Sequence, residues 1–281
     1  MSATGNNEPA APLTAEQARG YQALRSHLSV LKLTAAAEAL PAVLDAARAE
    51  KLTVTAALER LLSIEVEATE ARRLAGRLRF ACLPSPATLG EFDFDAQPGV
   101  DPHLINDLAS CRYLQTATNV LMIGPPGVGK THLAVGLARQ AAEVGYRTYF
   151  TTAADLAARC HRAAIEGRWA TTMRFFAGPT LLVIDELGYL PLPAEGASAL
   201  FQVIAQRYGK TSTIVTTNRP ITSWGDILGD ATVAAALLDR LLHRSVVLDI
   251  TGESYRLRDH HARTDNLRRA NKANRGKADH D

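Results

Sequence analysis

The chain has few cysteines and lacks any long apolar run, and both absences narrow its class. Its three cysteines, Cys82, Cys111 and Cys160, are widely spaced and show no metal-type pairing. This usage favours reduced, buried thiols and argues against a zinc site or a catalytic cysteine. No apolar run approaches the ~18 residues that cross a bilayer, and residues 1–12 are small and polar, unlike a signal peptide. We therefore expect a cytoplasmic protein without a membrane partner.

An excess of charge of one sign is also missing. The 31 lysines and arginines nearly balance 29 aspartates and glutamates, and the formal net charge is only +2. The whole molecule is therefore not a polycation, although its basic residues are unevenly placed. A hydrophobic content of 47% with 21% charged residues is typical of a globular protein. The length of 281 residues allows one large domain or two moderate ones.

The most informative stretch is a glycine-rich segment that follows the apolar residues 120–123 and leads into an apolar helical pattern. It consists of Gly124, Pro125, Pro126, Gly127, Val128, Gly129, Lys130 and Thr131, followed by His132. Strand, glycine-rich turn and helix are the context that a phosphate-binding loop requires. Its glycines let backbone N–H groups curl around a polyphosphate at a helix N-terminus. Lys130 is placed to reach the β- and γ-phosphates, and the Thr131 hydroxyl to bind Mg²⁺. The alternative is a glycine-rich turn with a chance lysine.

Polar residues follow two other predicted strands. Asp185 and Glu186 come directly after four apolar residues, at the carboxyl end of a strand, where ligands bind in parallel sheets. Asp185 is suited to hold Mg²⁺ and Glu186 to polarise a water for attack on the γ-phosphorus. Asn218 ends a later strand, and its neutral amide could hydrogen-bond that water or the γ-phosphate. An ordinary strand exit and a turn asparagine are the alternatives.

Two groups of arginines could have functional roles, one as an arginine finger and the other in contacting DNA. Arg240 and Arg244 lie four residues apart and so share a helix face, and either could serve a neighbouring subunit's site as an arginine finger. The alternatives are an intrahelical pairing with Asp239 and a surface role. A second group lies between the second strand and the strand that ends in the two acids, and it could contact DNA phosphates or form a solvated helix face. It comprises Arg159, Arg162, Arg168 and Arg174.

The pattern of apolar residues predicts an α/β protein with a parallel central sheet, preceded by a small all-α domain. We expect disorder over residues 1–14, a helical N-terminal partner-binding domain over 15–82 and a linker over 83–100. In this linker, Phe92 and Phe94 are expected to anchor the chain to the next domain, and a role beside the nucleotide base is the alternative. An ATPase domain is expected over 101–258 and a basic disordered tail over 259–281. Within the helical part, Thr34 and Thr53 are candidate N-caps and Pro41 is expected to break or kink its helix. Residues 101–113 are expected to form one helix.

Several phrases of the sequence together resemble a known family. They are the glycine-rich segment with the following His-Leu-Ala, Leu-Leu-Val-Ile-Asp-Glu-Leu-Gly, Thr-Thr-Asn-Arg, Asp-Arg-Leu-Leu-His-Arg and Ser-Tyr-Arg. In this order they are similar to the AAA+ ATPases of the IstB/DnaC group, and within it to the IstB helpers of insertion-sequence transposition. The resemblance covers roughly residues 24–258. The chain departs from fuller AAA+ proteins because no helical lid follows its last strand, which puts any second sensor arginine in doubt.

The resemblance implies ATP and Mg²⁺ as cofactors, with Lys130, Thr131 and Asp185 as phosphate and metal ligands. It implies Glu186 as the catalytic acid, Asn218 as the sensor, and Arg240 or Arg244 as the finger; Arg256 could lie near nucleotide or DNA. Such proteins form homo-oligomeric rings or spirals on double-stranded DNA with little sequence preference and stimulate a transposase. A DnaC-like helicase loader and a non-hydrolysing, ATP-switched DNA scaffold are the alternatives, and a small-molecule kinase is a more distant one.

Overall fold

The computed structural model describes residues 15–189 and 194–255. These residues form two compact units, and the boundary between them lies between Arg73 and Leu74. The segments expected to be disordered at both ends of the chain, and Arg256, lie outside the described residues. None of the helices in the described ranges is long and apolar enough to span a bilayer.

The first unit is helical, as expected. It contains α1 (Ala15–Val30), α2 (Thr34–Ala49) and most of α3 (Val54–Ala81). Side chains from all three helices form its core, namely Leu28, Ala36, Ala37, Leu40, Val43 and Leu61. Thr53 caps α3 as predicted, because its hydroxyl accepts a hydrogen bond from the Ala56 amide at 3.2 Å.

Two details of α2 differ from the prediction. Thr34 is the first helical residue rather than the N-cap, which is Leu33 and provides no side-chain bond. The helix also continues through Pro41 without a break. The cap comes from elsewhere: the buried Glu65 carboxylate of α3 accepts a hydrogen bond from the Ala36 amide at 2.9 Å. An acidic side chain at a helix N-terminus satisfies an unpaired amide and favours the helix dipole.

The second unit is built on a five-stranded sheet in which every neighbouring pair is parallel, with the order β2-β3-β4-β1-β5. The strands are β1 (Asn119–Ile123), β2 (Thr148–Thr152), β3 (Leu181–Leu187), β4 (Ser212–Thr217) and β5 (Ser245–Asp249). Because β4 lies between β1 and β3, the residues that follow these three strands meet at one edge of the sheet.

Helices cover both faces of this sheet. They are α4 (Pro102–Ala109), α5 (Arg112–Gln115), α6 (Lys130–Val144), α7 (Ala153–Ile165), α8 (Trp169–Ala177), α9 (Ala194–Arg207), α10 (Trp224–Leu228) and α11 (Ala231–Leu242). Helices α4 to α6 pack on one face with Val120 and Met122, and α7 to α11 pack on the other face with Leu121. The strands are buried on both sides, which explains why their sequences are nearly continuously apolar.

Glycines mark two helix ends in this unit, and its helices differ from the prediction at two places. Gly145 ends α6 in the left-handed conformation, and Gly167, also left-handed, separates α7 from α8. Residues 101–113 form two helices instead of one, because Cys111 adopts a left-handed φ of 60° between α4 and α5. The short helix α10 was not predicted. Phe92 and Phe94 pack against the core beneath β1 and α6, as expected for anchors.

Candidate nucleotide-binding site

The loop between β1 and α6 has the curled backbone that its glycines suggest. Gly127 and Gly129 have φ values of 86° and 92°, which side-chain-bearing residues rarely adopt. Space is equally limiting: a Cβ on Gly127 would lie 2.0 Å from Ser254 Oγ, and one on Gly129 would lie 2.6 Å from Phe92 Cε2. The loop therefore requires glycine at both positions, for conformation and for packing.

Lys130 and Thr131 begin α6 and point towards the loop and the sheet edge. The Lys130 ammonium, on a side chain only 9% exposed, donates hydrogen bonds to the carbonyls of Gly124 at 2.8 Å and Pro125 at 2.7 Å. Thr131 Oγ1 lies 3.1 and 3.0 Å from the two carboxylate oxygens of Asp185. A cation and a hydroxyl thus flank a helix N-terminus, which is an anion-binding arrangement.

Asp185 and Glu186 face the same loop although they are consecutive in β3. Side chains in a regular strand alternate between faces, so two neighbouring acids would point apart. Here the pairing of β3 with β4 shifts register between Ile184 and Leu187, and Glu186 has a left-handed φ of 60°. This bulge redirects Glu186, whose amide donates to Thr216 Oγ1 at 3.0 Å. Asp185 is 4% exposed and Glu186 is exposed.

Glu186 and Asn218 line a small cavity at the sheet edge. The cavity has a volume of about 150 Å³, and its wall includes Lys130, Thr131 and Thr216. Asn218 directly follows β4, and its Oδ1 is buried with no hydrogen-bond partner among the described residues. Because buried amide oxygens are nearly always hydrogen-bonded, this atom requires a donor beyond those that residues 15–189 and 194–255 supply. A water molecule held between Asn218 and Glu186 would be such a donor.

The oxygen atoms of Thr131 and Asp185 suit a magnesium ion. Hydroxyl and carboxylate oxygens are the ligands that Mg²⁺ prefers, and this ion is usually completed by phosphate oxygens and water rather than by a full protein cage. No group of three or more His, Cys, Asp or Glu side chains in residues 15–189 and 194–255 could hold a metal by itself. The donors present therefore fit a metal that arrives with a nucleotide.

A larger cavity of about 430 Å³ adjoins the other side of the loop. His132 forms part of its wall, with its Nε2 2.9 Å from the Thr88 carbonyl oxygen and its ring 5.7 Å from that of Phe92. Glu91 also lines this cavity and forms a capping box with Thr88. The backbone amide of Thr88 donates to the Glu91 carboxylate and lowers its pKa below the ordinary value.

The two candidate finger arginines differ in their surroundings. Arg240 is half-buried on α11, donates to the Ala236 carbonyl at 2.7 Å and lies 4.9 Å from the centre of the Phe201 ring. Arg244 lies beyond the end of α11, so the prediction that it shares a helix face with Arg240 was wrong, and its side chain is exposed. An arginine finger must extend from the surface of its own subunit to reach the site of the neighbouring one. The exposed side chain of Arg244 therefore makes it the better candidate.

The four candidate DNA-contacting arginines are all exposed, on or beside α7 and α8. Three have partners within the chain. Arg159 lies 3.9 Å from the centre of the Phe175 ring and donates to the Tyr149 hydroxyl at 3.2 Å. Arg168 pairs with Glu166, and Arg174 donates to the Ala170 carbonyl at 3.3 Å. Their contact with DNA, also proposed for Arg162, stays a prediction.

Sequence reasoning did not assign two features of the site. Thr216 donates a hydrogen bond to Asp185 and accepts one from the Glu186 amide, so it fixes both acids. The segment after β5 lies against the phosphate-binding loop, because the Tyr255 amide donates to the Gly127 carbonyl at 3.0 Å. A threonine near the end of a strand could have suggested the first role. No local signal predicts the second, since the two partners are separated by more than a hundred residues.

The parallel sheet, the phosphate-binding loop and the acids beside it define an AAA+ P-loop nucleoside triphosphatase fold. Two solved structures share it: AMPPCP-bound DnaA from Aquifex aeolicus (TM-score 0.51, 18% identity, 60% of this chain) and DnaI (TM-score 0.51, 17% identity, 59% of this chain). The matches cover 51% of the DnaA chain and 92% of the DnaI chain. At such low identity they establish the fold alone.

The family follows from the sequence. The family model described as "IstB-like ATP binding protein" matches residues 26–263, and the chain belongs to this family. Relatives named as ATP-binding proteins of insertion sequences include that of IS5376 from Geobacillus stearothermophilus, 42% identical over 84% of this chain and 92% of its own length. Those of IS232 from Bacillus thuringiensis and of IS21 from Pseudomonas aeruginosa are each 38% identical, over 85% and 83% of this chain and 96% and 88% of their own lengths.

Proposed function

We propose that this protein hydrolyses ATP and uses bound ATP–Mg²⁺ to form multimers on double-stranded DNA, which it presents to a transposase. In this proposal, hydrolysis resets the complex. The observation that supports hydrolysis most directly is the small cavity beside Lys130, because its wall includes the exposed Glu186 and Asn218, whose amide oxygen has no hydrogen-bond partner within the described part of the chain. The cavity combines a base with a group that can orient a water molecule.

Each residue has a role that its position suggests. The loop amides and Lys130 bind the triphosphate, and Thr131 with Asp185 would hold the magnesium ion, which neutralises charge on the phosphate oxygens. Thr216 orients the Asp185 carboxylate by donating a hydrogen bond to it. Asn218 positions a water molecule, and Glu186 accepts its proton as it attacks the γ-phosphorus. Because these groups lie at the end of a rigid sheet, little reorganisation accompanies the reaction.

The arginine finger would come from an adjacent subunit. The described residues contain no helical lid after β5, so the sheet edge has no such cover from its own chain within residues 15–189 and 194–255. We assign the finger to Arg244 because its side chain is exposed, whereas Arg240 contacts Ala236 and Phe201 of its own subunit. Homo-oligomerisation in a ring or spiral would then complete each site, which makes assembly and turnover interdependent.

DNA and the transposase enter the proposal through two lines of support. Relatives at 38–42% identity are named for the insertion sequences that encode them, a context in which DNA and a transposase are present. The exposed arginines of α7 and α8 could contact DNA phosphates in a sequence-tolerant way. If Arg162 contacts a phosphate, Arg162→Ala should reduce the slope of log affinity against log salt by about one.

The experiment compares ATP-dependent assembly on a duplex of mixed sequence, followed by light scattering, in the unchanged protein and in Lys130→Ala. We expect assembly to require ATP and Mg²⁺ and to be lost in Lys130→Ala, because the triphosphate loses its cationic ligand. Lys210→Ala is the matched control, since Lys210 is exposed on the loop between α9 and β4. A Lys130→Ala protein that still assembled with ATP would refute the coupling of nucleotide binding to assembly.

Two further measurements separate the alternatives. Multiple-turnover phosphate release stimulated by duplex DNA would exclude a scaffold that ATP merely switches. Capture by an insertion-sequence transposase, compared with capture by a replicative helicase, distinguishes a transposition helper from a helicase loader. Binding to the helicase alone would overturn the proposed partner.

A further inference from the structure

We propose that strand β5 is a docking surface for a second copy of this chain, and that the two β5 strands pair antiparallel across a two-fold axis at Val247. This pairing joins the sheets of two subunits into one continuous sheet. It needs neither nucleotide nor an arginine finger, so it is separate from the ATP-dependent assembly proposed above. Two features of the strand support it: an open edge and a self-complementary order of residues.

The two edges of the central sheet differ in how far they are covered. Strand β2 forms one edge, and its Thr148 and Phe150 side chains are buried. Strand β5 forms the other edge, where Val247 is 45% exposed and Asp249 is also exposed. The middle and the end of β5 are therefore accessible to another chain.

The backbone of β5 directs hydrogen-bonding groups towards this open side. At its two ends, the Arg244 carbonyl accepts from the Asn119 amide at 2.8 Å, and the Ile250 amide donates to the Ile123 carbonyl at 2.7 Å, so both ends face β1. Consecutive residues of a strand direct their N–H and C=O groups to opposite sides. The residues whose groups point away from β1 are therefore Ser245, Val247 and Asp249. Within residues 15–189 and 194–255, β1 is the one strand that pairs with β5.

The sequence of β5 lacks the features that usually prevent edge strands from pairing. Natural sheets protect an open edge with lysine, proline, a bulge or a charge that points inward. Ser245–Asp249 contains no lysine, arginine, proline or glycine, and its register with β1 is continuous. Its middle residue, Val247, is β-branched and suits cross-strand packing. The charge of Asp249 lies at the end of the strand, so the middle of the edge stays free for a partner strand.

The order of residues along this edge identifies a second copy as the partner, because a two-fold contact requires a surface that matches itself. In an antiparallel pair centred on Val247, each Val247 lies opposite its counterpart, and Ser245 lies opposite Asp249 of the partner subunit. All of these residues direct N–H and C=O groups outward, so each pair exchanges both of its hydrogen bonds. A hydroxyl donor then faces a carboxylate. A register centred on Asp249 would oppose two carboxylates, which disfavours it.

The test is sedimentation equilibrium of the full-length protein over a concentration series, at low salt and without nucleotide. We expect a monomer–dimer equilibrium in the unchanged protein. Val247→Lys should weaken the dimer about tenfold, because two ammonium groups then meet at the two-fold axis, and Val247→Glu should do the same with two carboxylates. An equimolar mixture of these two variants should dimerise within about threefold of the unchanged protein, since opposite charges then face each other.

Three control variants separate this contact from other effects. Val144→Lys introduces the same change at an exposed valine at the end of α6 and should leave dimerisation unchanged. Val247→Thr keeps a β-branched side chain at the axis and should dimerise within about threefold of the unchanged protein. Lys130→Ala should dimerise normally, because the contact does not involve nucleotide. Circular dichroism measures whether each variant is folded.

Each possible result supports or overturns the inference. An unchanged protein that stayed monomeric without nucleotide would overturn it, and so would a dimer that Val247→Lys left intact, because the contact would then lie elsewhere. A mixture of the two charged variants that failed to dimerise would refute the antiparallel register centred on Val247. A dimer that did not assemble further with ATP would refute the proposed function and leave this contact intact.

Discussion

Replacing Arg207 with methionine should destabilise the second unit, because this arginine joins three parts of it. Its side chain is 1% exposed at the end of α9. The guanidinium donates to the carbonyls of Phe176 and Pro179 at 2.9 Å each, to the carbonyl of Ser212 at 2.5 Å and to Thr213 Oγ1 at 3.1 Å. It thereby connects the end of α8 and the turn before β3 with the start of β4.

The magnitude follows from two opposing effects. Hydrogen bonds from a charged donor contribute about 1.5–3 kcal/mol each, so the four contribute roughly 6–12 kcal/mol. Burial lowers the pKa of Arg207 from 12.5 to about 9, so the group is still charged at neutral pH. At 1.36 kcal/mol for each pKa unit, this burial costs about 5 kcal/mol, which the methionine variant recovers. The difference is about 1–7 kcal/mol, so we expect a net loss of about 4 kcal/mol, or about 8–16 °C in melting temperature.

The assay is thermal unfolding followed by circular dichroism, with urea unfolding as a second measure. Arg207→Lys should lie between the unchanged protein and Arg207→Met, because an ammonium has fewer donors and a different geometry. Arg162→Met on the exposed face of α7 is the matched control and should change stability by less than about 0.5 kcal/mol. An Arg207→Met protein that melted within about 2 °C of the unchanged protein would refute the role assigned to these hydrogen bonds.

Three further predictions concern other parts of the chain. Backbone hydrogen bonding at the start of α2 lowers the pKa of Glu65 below 4.5, so the stability that this ionised carboxylate contributes is present above pH 4.5 and is lost as pH falls through the folded-state pKa. Glu65→Gln should flatten this acid dependence of stability, measured by circular dichroism, and an unchanged profile would contradict the role of Glu65. Burial raises the pKa values of Cys111 and Cys160, the latter to about 11. A thiol reagent at pH 8 should therefore label only the exposed Cys82 until the protein is unfolded. Labelling of all three thiols at the same rate in the folded protein would be inconsistent with this burial. Asn218→Ala should lower kcat for ATP by about 10²–10³ with little change in KM, whereas an equal rise in KM would indicate a binding role instead.

Much of this fold was readable from the sequence because its signals are local. The apolar runs predicted the parallel central sheet, and Gly145 and Gly167 end helices because each adopts a left-handed conformation. The prediction failed at Thr34, where the sequence favours a local cap. The structure uses Glu65 instead, thirty-one residues away, and that partner depends on how α2 and α3 pack.

The candidate site could likewise be predicted only in part from local sequence. The phosphate-binding loop and the two acids were identified from residue types and order, because each motif is short and follows a strand. How Asp185 and Glu186 both reach the loop could not be predicted, since alternation in a strand would separate them and only the bulge brings them together. The contact of Tyr255 with Gly127 is also a consequence of sheet order, which places β5 beside β1.

The most direct test of the proposed chemistry is the ATPase rate of Glu186→Gln, measured as phosphate release on duplex DNA together with ATP affinity. The neutral amide keeps the size of the side chain but cannot accept a proton from water. We expect ATP affinity within about threefold of the unchanged protein and a turnover rate lower by about 10²–10⁴. Full turnover by Glu186→Gln, in a preparation whose unchanged counterpart binds and hydrolyses ATP, would contradict the assignment of Glu186 as the catalytic base.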